Sequence, residues 1–437
     1  MSPDLLADLT LDAVIARHPG IPGLARALDP EEGAALAAAA GVIAGGVAAH
    51  GDGARRRDAY EVSRIRLKRD RSVSVALRPI AGAGPWLLVR ALRPADWATK
   101  AAKDLRVARE RGLIGAAYAG DALLVVPAAA DRALALQRLA RLGLRLEGVG
   151  PQRDPDPSHP GEPWGEPEAV PRGSHWGNHW GNPEQDRGGA VSGGRLRARG
   201  DDLDGAPGVL RAARTLSYNP ARRWVGVAAS ASAGGPRRLL RLHAGARRPH
   251  LEPYVEGIPL DVTRLSSDEA EELRRTLGAG LSGRGAPPRG RDEGLSAALD
   301  RVASGLADLH PRLGERARAV VRRLGEHPQT LGRRVPAHGD LSPDQVIRGD
   351  DGDLHVIDWD RWGWWPCGWD SATWTAQAVL EGVAEPNAPA LLTEDEPAPA
   401  VLAAAALLRS PDPFRRMRAD WPAATLRLLD HAEGVLG

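Results

Sequence analysis

The 437-residue chain contains one cysteine, Cys367, which excludes an internal disulfide and suits a reducing compartment. Lysine is almost missing: Lys68, Lys100 and Lys103 are the whole set, and arginine carries the rest of the positive charge. The arginine excess, with abundant alanine, glycine and proline, reads first as the codon bias of a GC-rich genome. An excess of one charge is also lacking. A formal net charge of +2 gives no footprint for nucleic acid or an anionic membrane, so neither is expected as a partner. Long hydrophobic runs are absent. The most apolar stretch, near Ala34 to Ala49, is interrupted and rich in alanine and glycine, which argues against a membrane span. The first twenty residues lack the basic, apolar and small-residue regions of a secretion signal, and a cytoplasmic location is expected. What is present is ordinary for a globular chain: 43% hydrophobic and 26% charged residues, at a length that suits two or three domains.

Patterning divides the chain into four parts. Residues 1–150 open with alanine-rich helices, one starting at Asp29-Pro30-Glu31-Glu32, where acidic residues favour a first turn. Alternation then predicts strands at 62–67, 73–77 and 86–90, a helix over 95–111, an apolar strand at 122–126 and a second helix to about Leu144. Residues 151–208 keep no period and read as a Pro/Gly-rich linker; its tandem repeat at 175–182 is a small duplication rather than a metal site. Residues 209–250 form a β unit that echoes the first one. Leu67 to Val73 falls on Tyr218 to Trp224 at an offset of 218 − 67 = 151, and the strand ending on Arg90 falls on the one ending on Arg241. Residues 251–437 read as helices around one short sheet. They include a capping box at Ser266 or Ser267 and helices over 266–277, 295–309 and 315–324.

The chemistry concentrates between Val335 and Ala372. His338-Gly339-Asp340-Leu341-Ser342-Pro343-Asp344-Gln345 precedes an Asp351-Gly352 turn, and Leu354-His355-Val356-Ile357-Asp358-Trp359-Asp360 follows it. Asp-Gly between two apolar runs signals a hairpin that delivers a second carboxylate at its end. Phosphoryl transfer requires a carboxylate to orient and deprotonate a hydroxyl, and hard oxygen ligands to hold Mg²⁺ over nucleotide phosphates. Asp340 fits the first role; Asp358 and the amide of Gln345 fit the second.

This segment resembles the catalytic loop and metal-binding strand of aminoglycoside phosphotransferases, small-molecule kinases with a protein-kinase-like fold. The resemblance implies an α+β, two-lobed chain with a β-rich N-terminal lobe and a mainly helical C-terminal lobe. It implies ATP and Mg²⁺ as cofactors and a hydroxyl of a small molecule as acceptor. Gln345 stands where the family usually has Asn, and the Trp362, Trp364, Trp365 and Trp369 run departs from its usual Gly-Asp-Pro. Tyr254 and Val255 lie in a segment that resembles the lobe connector, where backbone groups would bind adenine. His338, Asp360 and Asp370 are the supporting residues. Asp370 is read either as a brace for the catalytic loop or as the N-cap of a helix.

Two elements of that pattern are missing. The strand ahead of the connector offers Arg241 in place of a phosphate-binding lysine. Between Arg241 and Tyr254 there is no room for the usual helix and two strands. The N-terminal lobe is therefore read as duplicated or as composite, the latter borrowing residues 95–127 and bringing Lys100 or Lys103 to the nucleotide. Residues 231–235 offer the only phosphate-covering loop. A catalytically degenerate, pseudokinase-like nucleotide-binding or regulatory protein is the alternative to an enzyme. Glu394, Asp395 and Glu396 give a faint acidic patch for a cationic acceptor.

Overall fold

Hydrophobic residues at every second position build the sheets, and helical spacing builds the rest. A computed structural model describes residues 3–43, 60–80, 84–134, 145–146, 210–230, 237–246, 250–260, 266–287, 294–326, 331–383 and 396–437. The expected linker at 151–208, the loop at 231–235 and the end of the helix near Leu144 lie outside these. The chain is α+β, with two large sheets before residue 260 and a mainly helical part after it. No helix among the described residues is long and apolar enough to cross a membrane.

Four short helices come first: α1 (Pro3–Asp8), α2 (Leu11–Ala16), α3 (Leu24–Leu28) and α4 (Pro30–Ala39). Asp29 caps α4, its carboxylate accepting the amides of Glu31 (2.8 Å) and Glu32 (3.2 Å), as the sequence suggests. The first sheet follows as β1 (Tyr60–Lys68), β2 (Ser72–Pro79), β3 (Leu87–Leu92), β4 (Ala116–Tyr118) and β5 (Leu123–Pro127), in the order β1-β2-β3-β5-β4. Helix α5 (Pro94–Glu110) lies between β3 and β4. Val75, Leu77, Leu87, Val89 and Val125 pack with Leu24, Leu28 and Leu36 of α3 and α4. Their neighbours Ala76, Leu88, Leu124 and Val126 pack on the opposite side, with Tyr218, Trp224, Leu240 and Leu242 of the second sheet. The period of two thus separates two cores across one sheet, which is why its central strands read as continuous apolar runs.

The second sheet comprises β6 (Arg145–Leu146), β7 (Leu210–Asn219), β8 (Arg223–Ser230), β9 (Arg238–His243) and β10 (His250–Pro253), in the order β10-β9-β8-β7-β6. Its first three long strands repeat β1, β2 and β3. Lys68 pairs with Ser72 and Asn219 with Arg223; Ser72 pairs with Leu92 and Arg223 with His243. The differences 219 − 68, 223 − 72 and 243 − 92 all equal 151. The connecting turns also match: Asp70 and Ala221, 151 apart, both adopt positive φ, at 49° and 53°.

The repeat covers the strands, and the helix that follows them occurs in the first unit. Helix α5 packs on β4 and β5 of its own sheet, and Lys100 pairs with Asp96 on the same helix (2.9 Å); Trp97, Leu105 and Ala108 of α5 also share a core with Tyr218, Trp224, Leu240 and Leu242 of the second sheet. Arg90 pairs instead with Asp104 of α5. Among the described residues no helix lies between β9 and β10, and Glu252 of β10 is 3.1 Å from Arg241. Because β6 joins β7 in parallel, the first 150 residues also supply an edge of the second sheet.

In the C-terminal part, β11 (Gly257–Pro259) pairs with β13 (Val346–Gly349), which pairs with β14 (Leu354–Val356) through the Asp351-Gly352 turn. β12 (Arg334–Ala337) pairs with β15 (Gly363–Pro366). The helices are α6 (Ser267–Gly283), α7 (Leu295–Leu309), α8 (Pro311–Glu326), α9 (Trp369–Leu380), α10 (Pro399–Arg409), α11 (Asp412–Arg415) and α12 (Trp421–Gly434). Ser266 and Glu269 form the capping box that starts α6. In α7, Leu295, Leu299, Val302, Leu306 and Leu309 form the buried stripe its spacing demands.

Candidate active site

The catalytic-loop segment is held from both sides. Asp370 lies in the first turn of α9, yet its carboxylate accepts the amides of His338 (2.8 Å) and Gly339 (2.9 Å) rather than capping its own helix. Its side chain thus ties the backbone at 338–339 to the start of α9. Burial pushes its carboxyl above the usual carboxylate range, against the lowering pull of His338 and the two amides. His338 is buried, and its Nε2–H donates to the Ile357 carbonyl (2.8 Å), tying the loop to the segment that carries Asp358. The Ile357 amide donates to the Gln345 carbonyl (2.9 Å), a second tie. Gly339 has φ 87°, and a Cβ there would collide with the Trp365 indole and the Arg361 carbonyl, so only glycine fits.

Asp340 emerges from this loop one-third exposed. Its carboxylate faces the Arg409 guanidinium at 3.2 Å and Arg361 at 3.6 Å. Arg409 is buried, and it also donates to the Gln377 side-chain oxygen (2.8 Å). Sequence reading missed it, although one arginine at the end of the apolar run Pro399–Arg409 was a signal that its charge is matched inside the fold.

Asp358 follows β14 in the left-handed conformation, φ 62° and ψ 48°, unusual for a residue with a side chain. Arg241, 3% exposed, ion-pairs with Asp358, with Asp360 (3.0 Å) and with Glu252 (3.1 Å). Arg223, at the start of β8, reaches Asp358 (3.3 Å) and Asp360 (2.8 Å). It went unnoticed in the sequence because the equivalent position in the first unit is Ser72. Burial would raise the Asp360 carboxyl, but Arg241 and Arg223 outweigh it and hold the group below its ordinary value. Burial works to lower the Arg223 guanidinium, and Asp358, Asp360 and Asp340 outweigh it to raise it. Asp340, Asp358 and Asp360 therefore share one electrostatic environment under the second sheet.

Gln345 ends a short 3₁₀ turn over Pro343–Gln345, and its side-chain oxygen is buried without a hydrogen-bond partner among the described residues. Among those residues no cluster of three His, Cys, Asp or Glu side chains is placed to hold a metal. Any cation there would rest on Asp358 and the Gln345 oxygen, with its remaining ligands supplied by phosphate and water. A buried amide oxygen lacking a donor suits that role.

Tyr254 and Val255 are half-buried between β10 and β11, where the connector was expected, and the Tyr254 amide donates to the Arg237 carbonyl (3.2 Å). The tryptophan run divides: Trp369 is buried and stacks on Trp365 at 4.7 Å, whereas Trp364 is 39% exposed. Trp365 and Trp369 therefore serve packing. Glu394 and Asp395 lie outside the described residues. Glu396 lines a cleft with Leu331, Arg333 and Cys367, not with Asp340.

No family model matches the chain, and no curated protein matches it. Among solved structures, it is similar to an ethanolamine kinase from Plasmodium vivax, at 10% identity and a TM-score of 0.38, over 54% of this chain and 84% of that one. It is similar to a choline kinase from Streptococcus pneumoniae at 12% identity and a TM-score of 0.37, over 52% and 94% of the two chains. A spectinomycin phosphotransferase bound to AMP gives 12% identity and a TM-score of 0.36, over 51% and 93%.

Proposed function

We propose that the chain is a cytoplasmic phosphotransferase that moves the γ-phosphoryl group of ATP to a hydroxyl of a small molecule. The observation that carries this reading is the convergence of Asp340 and Asp358 beneath Arg241 and Arg223, with the Gln345 oxygen buried and unpartnered nearby in sequence and loop.

Asp358 and Gln345 would hold Mg²⁺, which supplies charge neutralisation on the nucleotide phosphates. Arg241 and Arg223 would meet phosphate oxygens, their forked guanidinium groups exchanging part of their contact with Asp358 and Asp360. Tyr254 and Val255 would present backbone groups to the adenine. Asp340, oriented by Arg409 and Arg361, accepts the proton of the acceptor hydroxyl as its oxygen attacks phosphorus and the β,γ-bridging oxygen leaves with ADP. Asp370 and His338 keep the loop in place for that transfer, since a misplacement of about 1 Å can cost on the order of 100-fold in rate.

One observation favours the second reading, a nucleotide-binding protein without turnover: two arginines already neutralise Asp358. Transfer separates the two. With Mg²⁺ and γ-labelled ATP, an acceptor screen should give labelled product that Asp340→Asn abolishes while nucleotide binding persists. Binding without transfer, in both the natural chain and Asp340→Asn, would support the second reading.

A further inference from the structure

We propose that the acceptor is an anionic hydroxy compound bearing a phosphate or carboxylate, and that arginines from both duplicated units hold its charged group beside Asp340. This deepens the phosphotransfer reading above and rests on it.

The acceptor side of Asp340 is built from four separate parts of the chain. Arg361 and Arg409 face Asp340 itself. Helix α11 brings Asp412 and Arg415 together (3.4 Å), and Arg64 of β1 reaches the same Asp412 oxygen across 348 residues (3.5 Å). Arg66, two residues further along β1 and so on the same face, donates to the carbonyls of Pro220 and Ala221 in the β7–β8 turn, both at 3.4 Å. Arg222 follows in that turn. Its guanidinium is pushed down by desolvation and then by repulsion from Arg66, Arg415, Arg301 and Arg361, so these groups crowd one another.

The charge count decides what such a place can bind. Arg361 and Arg409 face Asp340, and Arg64 and Arg415 face Asp412. Arg66 and Arg222 lie beside them with neither carboxylate as a partner, Asp131 acting on Arg66 from the other side. Among the described residues neither Arg222 nor Arg416, the next residue after α11, has a carboxylate within ion-pair distance. Guanidinium groups so placed repel one another until an anion enters, and their forked donors match carboxylate and phosphate oxygens. A cationic acceptor would meet the opposite field. The nucleotide phosphates are matched separately by Arg223 and Arg241 on the Asp358 side. The first sheet thereby gains a role in the site, because β1 contributes Arg64 and Arg66 to the acceptor wall. In the reaction the acceptor oxygen bonds to Pγ, the bond from Pγ to the bridging oxygen breaks to release ADP, and the hydroxyl proton passes to Asp340.

The test uses the full chain with Mg²⁺ and ATP, and matched acceptors: glucose, glucose 6-phosphate, gluconate and choline. At least one anionic compound should raise ADP release tenfold or more above glucose and choline. Arg222→Ala with Arg416→Ala should raise its KM at least tenfold while the KM for ATP stays within about threefold; Arg64→Gln should raise the same KM. Arg322→Ala, which removes an exposed arginine of α8, serves as the charge-loss control and should change neither. Preference for glucose or choline, or an effect of Arg222 and Arg416 on ATP alone, overturns the proposal. Independently of turnover, inorganic phosphate should raise the Tm of the natural chain by several degrees and leave that of the chain with Arg222→Ala and Arg416→Ala unmoved. Equal response of both proteins also overturns it. A chain that binds ATP but ignores every anion loses only this inference; a chain that binds no ATP loses the phosphotransfer reading with it.

Discussion

Arg241 on β9 and Asp358 after β14 are 117 residues apart and form an ion pair that joins the second sheet to the catalytic loop region. The guanidinium is nearly inaccessible and spans three carboxylates, Asp358, Asp360 and Glu252. Removing it leaves those charges facing one another. Arg241→Ala should therefore cost about 3–5 kcal/mol in urea unfolding. Arg241→Lys should recover only part, because an ammonium group cannot fork across three partners. A neutral Arg241→Ala would show that the pair does not join the sheet to the loop.

Asp370 separates positioning from binding. Asp370→Ala orphans the amides of His338 and Gly339, and kcat should fall on the order of 100-fold, with stability reduced by about 1–3 kcal/mol. ATP affinity should change little, since Asp358 and Gln345 are untouched. Asp370→Asn keeps an acceptor oxygen and should restore part of kcat. Equal losses in kcat and ATP affinity would instead mark a general collapse of the loop.

Trp224 tests whether the duplicated sheets form one body. It is buried between them, its indole N–H donating to the Thr215 hydroxyl (3.0 Å). Asp131, which follows β5, accepts the Tyr218 hydroxyl and the Ala221 amide, both at 2.7 Å, and fixes the same interface. Trp224→Ala should cost about 3–5 kcal/mol. Hydrogen exchange should speed up in β2, β3 and β5 of the first sheet as well as in β7 to β9. Acceleration limited to the second sheet would show that the two fold independently.

Asp412 sets an acid-stability window. Burial acts to raise its carboxyl, but Arg64, Arg415, Arg416 and Arg409 prevail and lower it from 3.8 to about 2. A carboxylate depressed in the folded state contributes stability above its unfolded pKa and loses it as pH falls through the folded one. Between pH 4 and pH 2 the loss should amount to roughly 2 kcal/mol. Unfolding free energies across that range should show a shallower acid limb in Asp412→Asn than in the natural chain.

Much of this was legible in the residues, and the gaps have physical causes. The Asp351-Gly352 hairpin, helix Leu295–Leu309 and the capping box at Ser266 were readable because each depends on neighbours in sequence. The offset of 151 was readable as an echo, and the paired registers and matching turns make it a structural repeat. Arg223, Arg409 and Glu252 were not, because their significance comes only from partners 32 to 135 residues away or on an adjoining strand. Gln345 was singled out by its spacing from Asp340, whereas its buried, unpartnered oxygen is visible only in three dimensions.

The most direct test is calorimetry of ATP binding with and without Mg²⁺, on the natural chain, Asp358→Ala and Gln345→Ala. The account predicts Mg²⁺-dependent binding that Asp358→Ala abolishes and Gln345→Ala weakens about tenfold or more. ATP binding that is indifferent to Mg²⁺ and to Asp358, or no binding at millimolar ATP, would contradict it.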